Sequence, residues 1–268
     1  MSLVQRFPLN ETGKDYLVTD IHGCFDQVLI AMRAVNFDPA SDRLFCCGDT
    51  VDRGPGSPRA RRFIEQPWVH CTRGNHEDMF LELYENGEPH PVAIEFVTSR
   101  NGMNWWQDFP QADRLAMIES FRKLPVAIEI ETRRGTVGLV HAEVPAYLDW
   151  PSFIARVEAN DRELIKNTLW GRGRIYHDDD TGVPGIGRVF VGHTPQQHPR
   201  RMGNVYYLDT GAVFGILDDN HEKGRLTFAE LAARTGVFNR RDIAKALIDL
   251  RVDQEPTLEP FGSYAQAL

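Results

Sequence analysis

The stretch that decides the fold is RLFCCGDTVDRGPGSPRARRFIEQ, residues 43–66. After Arg43, four consecutive apolar residues predict a buried strand over residues 43–47. Residues 48–57 are rich in glycine and proline and predict a loop, and residues 58–66 predict a helix. The stretch therefore predicts one unit of strand, loop and helix.

The same unit occurs immediately before and after this stretch. Residues 16–19 form a short apolar segment, and residues 25–35 carry apolar side chains at helical spacing. Residues 68–72 are strand-like, and a second helical stripe follows at residues 79–84. Because strands that alternate with helices form βαβ units, the sequence predicts an α/β fold with a mainly parallel sheet.

The rest of the chain carries different patterns. Residues 85–124 predict an irregular helical insertion that includes Trp105 and Trp106, for which packing under the insertion is favoured over lining a substrate groove. Residues 126–130 and 136–140 predict neighbouring strands, residues 151–168 a helix, and residues 188–191 and 205–208 two more strands. Residues 228–250 predict one or two amphipathic helices, with Asn239 and Asp242 as N-cap and N3.

Composition excludes several classes of function. Charged residues make up 25% of the 268 residues, as in ordinary globular proteins, and the formal net charge of −8 lacks the positive excess that nucleic-acid or anionic-membrane binding requires. No apolar run of about 18 residues and no leader-like start is present, which predicts a cytoplasmic protein. Four cysteines, two of them adjacent, form a poor disulfide framework.

Polar residues with metal-ligating atoms follow each of the first three predicted strands. They are Asp20 and His22, Asp49 and Asp52, and Asn75 and His76, while His141 and His193 close two later strands. Carboxyl ends of parallel strands share one edge of a sheet, where open α/β folds bind ligands. This many oxygen and imidazole donors exceed the needs of one metal and predict two cations that share a carboxylate, with manganese, iron or zinc as suitable ions.

Five segments in this order resemble the motifs of the calcineurin-like metallophosphoesterases. They are DIHG (20–23), GDTVDRG (48–54), RGNHE (73–77), HA (141–142) and GHT (192–194). The similarity covers about residues 16–214 and is strongest to the serine/threonine protein phosphatases of the bacterial and bacteriophage lambda type. The resemblance implies a sandwich of two mixed β-sheets flanked by helices. We expect a catalytic domain over residues 1–220, with a cap-like insertion at about 85–124, and a C-terminal helical extension over residues 221–268.

The resemblance also implies a role for each matching residue. Asp20, His22 and Asp49 would hold one divalent cation, and Asp49, Asn75, His141 and His193 a second. The ions, expected to be manganese with iron, zinc or nickel as alternatives, would activate a water molecule that attacks phosphorus. His76 would protonate the leaving alkoxide, with Asp52 orienting its imidazole. Arg53, Arg172, Arg73 and Asn75 would bind the substrate, Arg73 with the choice between contacting substrate and bracing the site left open.

The expected activity is hydrolysis of phosphoserine and phosphothreonine in proteins, with phosphotyrosine as a side activity. A symmetrical diadenosine-tetraphosphate hydrolase is the enzymatic alternative, indicated by RGPGS at residues 53–57. Such hydrolases typically have a small residue in place of Asp52 and lack an arginine in place of Arg73, which favours the protein phosphatase. The alternative of another class is a catalytically inactive scaffold, which has no physical reason to keep a full ligand set and an acid pair.

Overall fold

The computed structural model describes residues 2–218, 223–232 and 247–251. The strands are β1 (Val4–Phe7), β2 (Asp15–Val18), β3 (Arg43–Cys46), β4 (Val69–Cys71), β5 (Ala127–Thr132), β6 (Gly135–Val140), β7 (Arg188–Val191), β8 (Arg200–Met202), β9 (Val205–Tyr207), β10 (Arg225–Glu230) and β11 (Leu247–Arg251). The helices are α1 (Phe25–Ala34), α2 (Ala60–Ile64), α3 (Asn75–Leu83), α4 (Pro91–Thr98), α5 (Gln111–Arg122), α6 (Trp150–Glu158), α7 (Arg162–Trp170), α8 (Gly173–Tyr176) and α9 (Phe214–Leu217).

These strands form two mixed sheets. The first has the order β11-β10-β2-β3-β4, in which β2, β3 and β4 are parallel and β10 is antiparallel to both of its neighbours. The second has the order β1-β5-β6-β7-β9-β8, in which β6, β7 and β9 are parallel. The predicted two-sheet α/β sandwich is therefore confirmed.

The core is divided by the sheets. An inner cluster, which includes Leu17, Phe45, Ile128 and Phe190, joins side chains of both sheets. Two further clusters bury the helices, one with α1 and α3 against the first sheet and one with α6 and α7 against the second. β2 and β7 are buried along their whole length, and after their first residues, Asp15 and Arg188, their sequences are apolar without alternation.

The insertion at residues 85–124 is helical, as expected. It contains α4, a 3-10 turn at Asn104–Trp106 and α5. Trp106 is fully buried, and its ring lies 4.3 Å from that of Phe80, so it packs under the insertion as predicted. Among the described residues, no helix is long and apolar enough to cross a membrane.

The predicted helix from residue 228 is wrong where the structure describes it. Residues 228–230 belong to β10, which pairs with β2, and residues 247–250 belong to β11. Leu226 and Phe228 pack on the helix side of the sheet while Ala229 faces the inner cluster, so both faces of β10 are buried and the strand shows no clear alternation. The predicted caps Asn239 and Asp242 lie outside the described residues, and the division of the chain at residue 220 stays a prediction.

The predicted single helix over residues 151–168 is also wrong in its continuity. The structure has two helices, α6 and α7, separated at Asn160, which has a φ of 59°. The side chain of Asp161 accepts a hydrogen bond from the backbone N–H of Leu164 at 3.1 Å and so begins the second helix.

Candidate active site

The predicted site residues meet where the two sheets present their strand ends. Asp20, Asp49 and Asn75 follow β2, β3 and β4 of the first sheet, and His141 and His193 follow β6 and β7 of the second. All five side chains are buried. The backbone N–H of His193 donates to Asp20 Oδ1 at 2.8 Å, which ties the two sheets together at the site.

The backbone of the site is unusual. Left-handed φ angles between 44° and 72° occur at Asp20, His22, Asp49, Asp52, Arg53 and His193. These are six of the ten non-glycine residues with positive φ in the described part of the chain. Such conformations are unfavourable for side-chain-bearing residues and persist only where the surroundings enforce them, often at functional sites.

Asp49 lies at the centre of the site. Its Oδ2 is 3.6 Å from His22 Nε2, and its Oδ1 is 3.5 Å from His141 Nε2. Burial by itself raises the pKa of Asp49, but the neighbouring imidazoles His141, His76, His22 and His193 lower it to a net value below the ordinary one. The carboxylate therefore stays ionised and faces a different set of ligand atoms with each oxygen, as expected of a bridging residue.

One set of ligand atoms lies on the Oδ1 side of Asp49. Asn75 Oδ1 is 2.8 Å from His141 Nε2 and 2.9 Å from His193 Nδ1, and the two ring nitrogens are 3.1 Å apart. The Nδ1–H of His141 donates to the carbonyl oxygen of Cys47 at 2.6 Å, which leaves the lone pair of Nε2 directed into this group. The arrangement brings four oxygen and nitrogen donors to one point.

The other set lies on the Oδ2 side. The Nδ1–H of His22 donates to the carbonyl oxygen of Val51 at 2.7 Å, so the ring nitrogen with the lone pair that can bind a cation is Nε2. Asp20 Oδ2 is buried and has no hydrogen-bond partner among the described residues. A Cβ atom at position 192 would overlap this same oxygen, which explains why Gly192 precedes His193. An unpaired buried carboxylate oxygen is costly unless a cation is bound.

The pKa shifts of the side chains in the two sets also fit the binding of cations. Burial, followed by the neighbouring imidazole, lowers the pKa of His22, and the same causes lower that of His193 to about 3. Burial and the charges of Asp209 and Asp49 raise the pKa of Asp20. Neutral imidazoles beside crowded carboxylates form a donor set of hard oxygen and imidazole ligands, and these residues fit divalent cations.

We call the candidate ligand residues around Asp49 the metal cluster. A second arrangement, the acid pair of His76 and Asp52, lies beside it. The Nδ1–H of His76 donates to Asp52 Oδ2 at 2.6 Å, and both side chains are buried. Burial lowers the pKa of His76, but Asp49 and the hydrogen bond to Asp52 outweigh it and raise the net value. His76 Nε2 is 4.0 Å from Asp49 Oδ2, which also makes it a candidate ligand, yet a raised pKa suits a proton donor better.

Two residues of the site were missed by the sequence analysis. Trp105 donates its Nε1–H to Asp52 Oδ1 at 2.8 Å, so the insertion reaches the acid pair. Glu77 is fully buried and accepts hydrogen bonds from the backbone N–H groups of Asp49, Thr50 and Gly74 at 2.8–3.0 Å. Its position three residues after the N-cap Gly74 is a capping-box signal that could have identified it.

The three predicted substrate-binding arginines have different surroundings. Arg53 donates to His22 Nε2 at 2.7 Å and to His76 Nε2 at 2.9 Å, so it lies across both parts of the site. Arg172 precedes α8 and is near enough to His193 for its charge to contribute to the lowered pKa there, after burial and His141. Arg73 instead pairs with Asp78 at 3.2 Å and lines a separate cavity of about 740 Å³.

Comparison with known proteins gives consistent relatives. A family model described as calcineurin-like phosphoesterase matches residues 16–221. Serine/threonine-protein phosphatase 1 of Salmonella typhimurium is 30% identical over 233 residues, which cover 85% of this chain and 97% of that protein. The symmetrical bis(5'-nucleosyl)-tetraphosphatase of Yersinia pestis is 36% identical over 152 residues, which cover 56% of this chain and 48% of that protein. A serine/threonine phosphatase structure from Saccharomyces cerevisiae has a TM-score of 0.60 at 15% identity, with 97% of this chain and 87% of that chain covered.

Proposed function

The chain belongs to the calcineurin-like phosphoesterase family, and from that premise we propose that it hydrolyses phosphoserine and phosphothreonine monoesters in proteins. The observation that carries this proposal is the buried pair of His76 and Asp52 beside the metal cluster. A serine or threonine alkoxide leaves only with a proton, whereas a nucleotide phosphate leaves readily without one. A well-held proton donor therefore favours the monoester of an alcohol. The match to a protein phosphatase over most of both chains supports the same substrate class.

Two divalent cations would be held by the residues around Asp49. Asp20, His22 and Asp49 would form one site, and Asp49, Asn75, His141 and His193 the other. Bound cations would supply Lewis acidity toward the phosphoryl group and lower the pKa of water, and manganese suits these hard donors. For His22 Nε2 to bind a cation, the Arg53 guanidinium must leave its present position 2.7 Å away.

The remaining residues would bind the phosphoryl group and supply the proton. Asn75 offers a further amide contact to the substrate, and Arg53 and Arg172 are suited to clamp phosphoryl oxygens because a guanidinium donates in a planar, bidentate manner. In the structure Arg53 donates to His76 Nε2 at 2.9 Å, so the same movement of the guanidinium would free Nε2 to carry the proton for the leaving oxygen. Arg73 would serve substrate binding indirectly, since Asp78 holds it in the neighbouring cavity. We place the enzyme in the cytoplasm, where phosphoproteins are found.

The second candidate function is hydrolysis of a dinucleoside tetraphosphate. It is favoured by the 36% identity to the Yersinia pestis tetraphosphatase, but that match covers only about half of each chain. The non-enzymatic alternative, a scaffold without turnover, is opposed by the complete set of buried donors. Metal-dependent turnover of an aryl phosphate would exclude the scaffold.

The test is a rate comparison on one metal-stripped, manganese-reconstituted preparation. Phosphoserine and phosphothreonine peptides are offered beside diadenosine tetraphosphate at matched concentrations. We expect kcat/KM for the peptides to exceed that for the dinucleotide by more than roughly tenfold. A faster dinucleotide reaction would overturn the proposal in favour of the second candidate.

A further inference from the structure

The helical insertion holds the segment that carries Asp52, one member of the acid pair, at two points. Asp52 and Arg53 both adopt left-handed backbone conformations, with φ of 72° and 66°. The backbone N–H of Arg53 donates to the carbonyl oxygen of Gly102 at 2.9 Å. The indole Nε1–H of Trp105 donates to Asp52 Oδ1 at 2.8 Å, across 53 positions of sequence. One anchor fixes the backbone and the other fixes the carboxylate.

The Asp52 carboxylate is fully buried and both of its oxygens are used. Oδ2 accepts from His76 and Oδ1 accepts from Trp105. A planar carboxylate held at both oxygens cannot rotate about its Cβ–Cγ bond without breaking one of the two hydrogen bonds. Without the indole N–H, Oδ1 would be a buried acceptor with no donor, and the carboxylate would be free to rotate about its Cβ–Cγ bond.

The Trp105 ring is itself held in place by other aromatic rings. Its centroid lies 5.2 Å from that of Trp106, 5.3 Å from Phe109 and 6.0 Å from Phe80, all in edge-to-face geometry. Such packing restricts the ring to one orientation. The indole N–H group is therefore held in a fixed direction toward Asp52.

We propose that Trp105 is a positioning residue that, through Asp52, aims the His76 imidazole at the leaving oxygen of the substrate. This proposal rests on the proposed function, in which His76 donates the proton. An imidazole with a loosely held Asp52 partner would spend less time in the geometry that transfers a proton. Substrates that need the proton should therefore suffer, and substrates that do not need it should be unaffected.

The experiment compares two adjacent variants of the manganese-loaded protein. Trp105→Phe keeps an aromatic ring and removes the N–H. Trp106→Phe is the matched control, because Trp106 also donates its Nε1–H, but to Tyr84 Oη at 3.2 Å. For Trp105→Phe we expect kcat on a phosphoserine peptide to fall by roughly tenfold and kcat on p-nitrophenyl phosphate to stay within about twofold, since p-nitrophenolate leaves without a proton. Trp106→Phe should change both rates by the same factor.

A double-mutant cycle with Asp52→Asn separates positioning from general loosening. In the Asp52→Asn background, Trp105→Phe should cause no further fall in kcat on the peptide, because its path to His76 is already broken. Additive losses, or an equal loss on both substrates, would overturn the proposal. If Trp105→Phe fails to fold, replacement of Trp105 by 3-benzothienylalanine, which has sulfur in place of the N–H, gives the same test with the ring shape kept.

Failure of the proposed function would look different. If His76→Asn itself shows no dependence on the leaving group, the assignment of the proton donor is wrong, whatever Trp105 does. If His76→Asn shows that dependence and Trp105→Phe does not, only the role of Trp105 is wrong.

Discussion

Two neighbouring regions of the site, the metal cluster around Asp49 and the acid pair of Asp52 and His76, satisfy their polar atoms in opposite ways. Their central carboxylates, Asp49 and Asp52, are only three residues apart in the chain. In the cluster, ligand atoms of Asn75, His141 and His193 crowd together at 2.8–3.1 Å, and Asp20 Oδ2 has no hydrogen-bond partner in the described part of the protein. In the acid pair, both Asp52 oxygens and both His76 ring nitrogens are paired.

The histidines of the two regions respond accordingly. Burial and a neighbouring imidazole lower the pKa values of His22 and His193, whereas the carboxylates Asp49 and Asp52 overcome burial and raise that of His76. A group of lone pairs without protons attracts a cation, and the carboxylates near His76 favour its protonated form, which requires that Arg53 no longer donates to Nε2. Equally buried histidines within one site are thus prepared for different chemistry by their partners.

The largest effect is expected from Asp49→Asn, which breaks the cluster. The amide loses the charge on which both cations depend, so the variant should bind fewer than two manganese ions per chain. Because a cation contributes several kcal/mol to charge stabilisation, kcat should fall by on the order of a thousandfold. Metal content by mass spectrometry of the desalted protein, together with turnover of p-nitrophenyl phosphate, measures both.

Asp52→Asn is the matched control for that experiment. It makes the same chemical change in the other region, and it should leave two ions bound. Full metal loading of Asp49→Asn, or loss of metal from Asp52→Asn, would contradict the division into a cation site and a proton site.

A smaller effect is expected from His76→Asn, which breaks the acid pair and leaves the cluster intact. The variant should retain two metal ions and lose kcat on a phosphoserine peptide by about 10²–10⁴-fold, the usual contribution of a general acid. On p-nitrophenyl phosphate the loss should be less than about tenfold, since that leaving group needs no proton. Steady-state rates on the two substrates and the metal content of the variant test this prediction. Equal losses on both substrates, or a loss of metal, would contradict the role of proton donor and favour that of a metal ligand.

Much of this site could be predicted because its residues are local to strand ends. Five of its residues lie one to four positions after the end of a strand, and the parallel arrangement of strands brings such positions together whatever the intervening sequence. They are Asp20, Asp49, Asn75, His141 and His193. The alternation of strands and helices predicted the α/β class, and the resemblance to the metallophosphoesterases implied the sandwich of two sheets. The convergence of the polar side chains could be predicted because one short segment carries both a strand and the side chain that follows it.

The rest depends on contacts between distant segments. Trp105 meets Asp52 only after the insertion has folded back over β3, and nothing in the residues around Trp105 encodes that partner. Residues 225–230 form a strand because β2 offers an open edge for pairing, which a local apolar pattern buried on both faces does not reveal. The pairing of Asp78 with Arg73 at 3.2 Å likewise gives no sign in the sequence.

The smallest effect is expected at His70, a half-buried histidine of β4 that lies outside both the metal cluster and the acid pair. Its ring centroid lies 4.3 Å from that of Phe7 and 5.3 Å from that of Phe45, and burial together with the charge of Arg43 outweighs the opposite effect of Asp15 and lowers its pKa to about 4. Between pH 6.5 and 4 the unfolded chain therefore binds a proton at His70 that the folded chain does not bind.

The free energy of unfolding should fall as the pH drops through this window because of His70. His70→Leu keeps the apolar packing and removes that proton, so the variant should gain about 2 kcal/mol relative to the wild type between pH 7.5 and pH 5.0. Urea unfolding at both pH values measures the difference, in which the contributions of His22 and His193 cancel. A difference that does not change with pH would mean that His70 is protonated equally in both states, and the contrast between partnered and unpartnered histidines would then not extend beyond the active site.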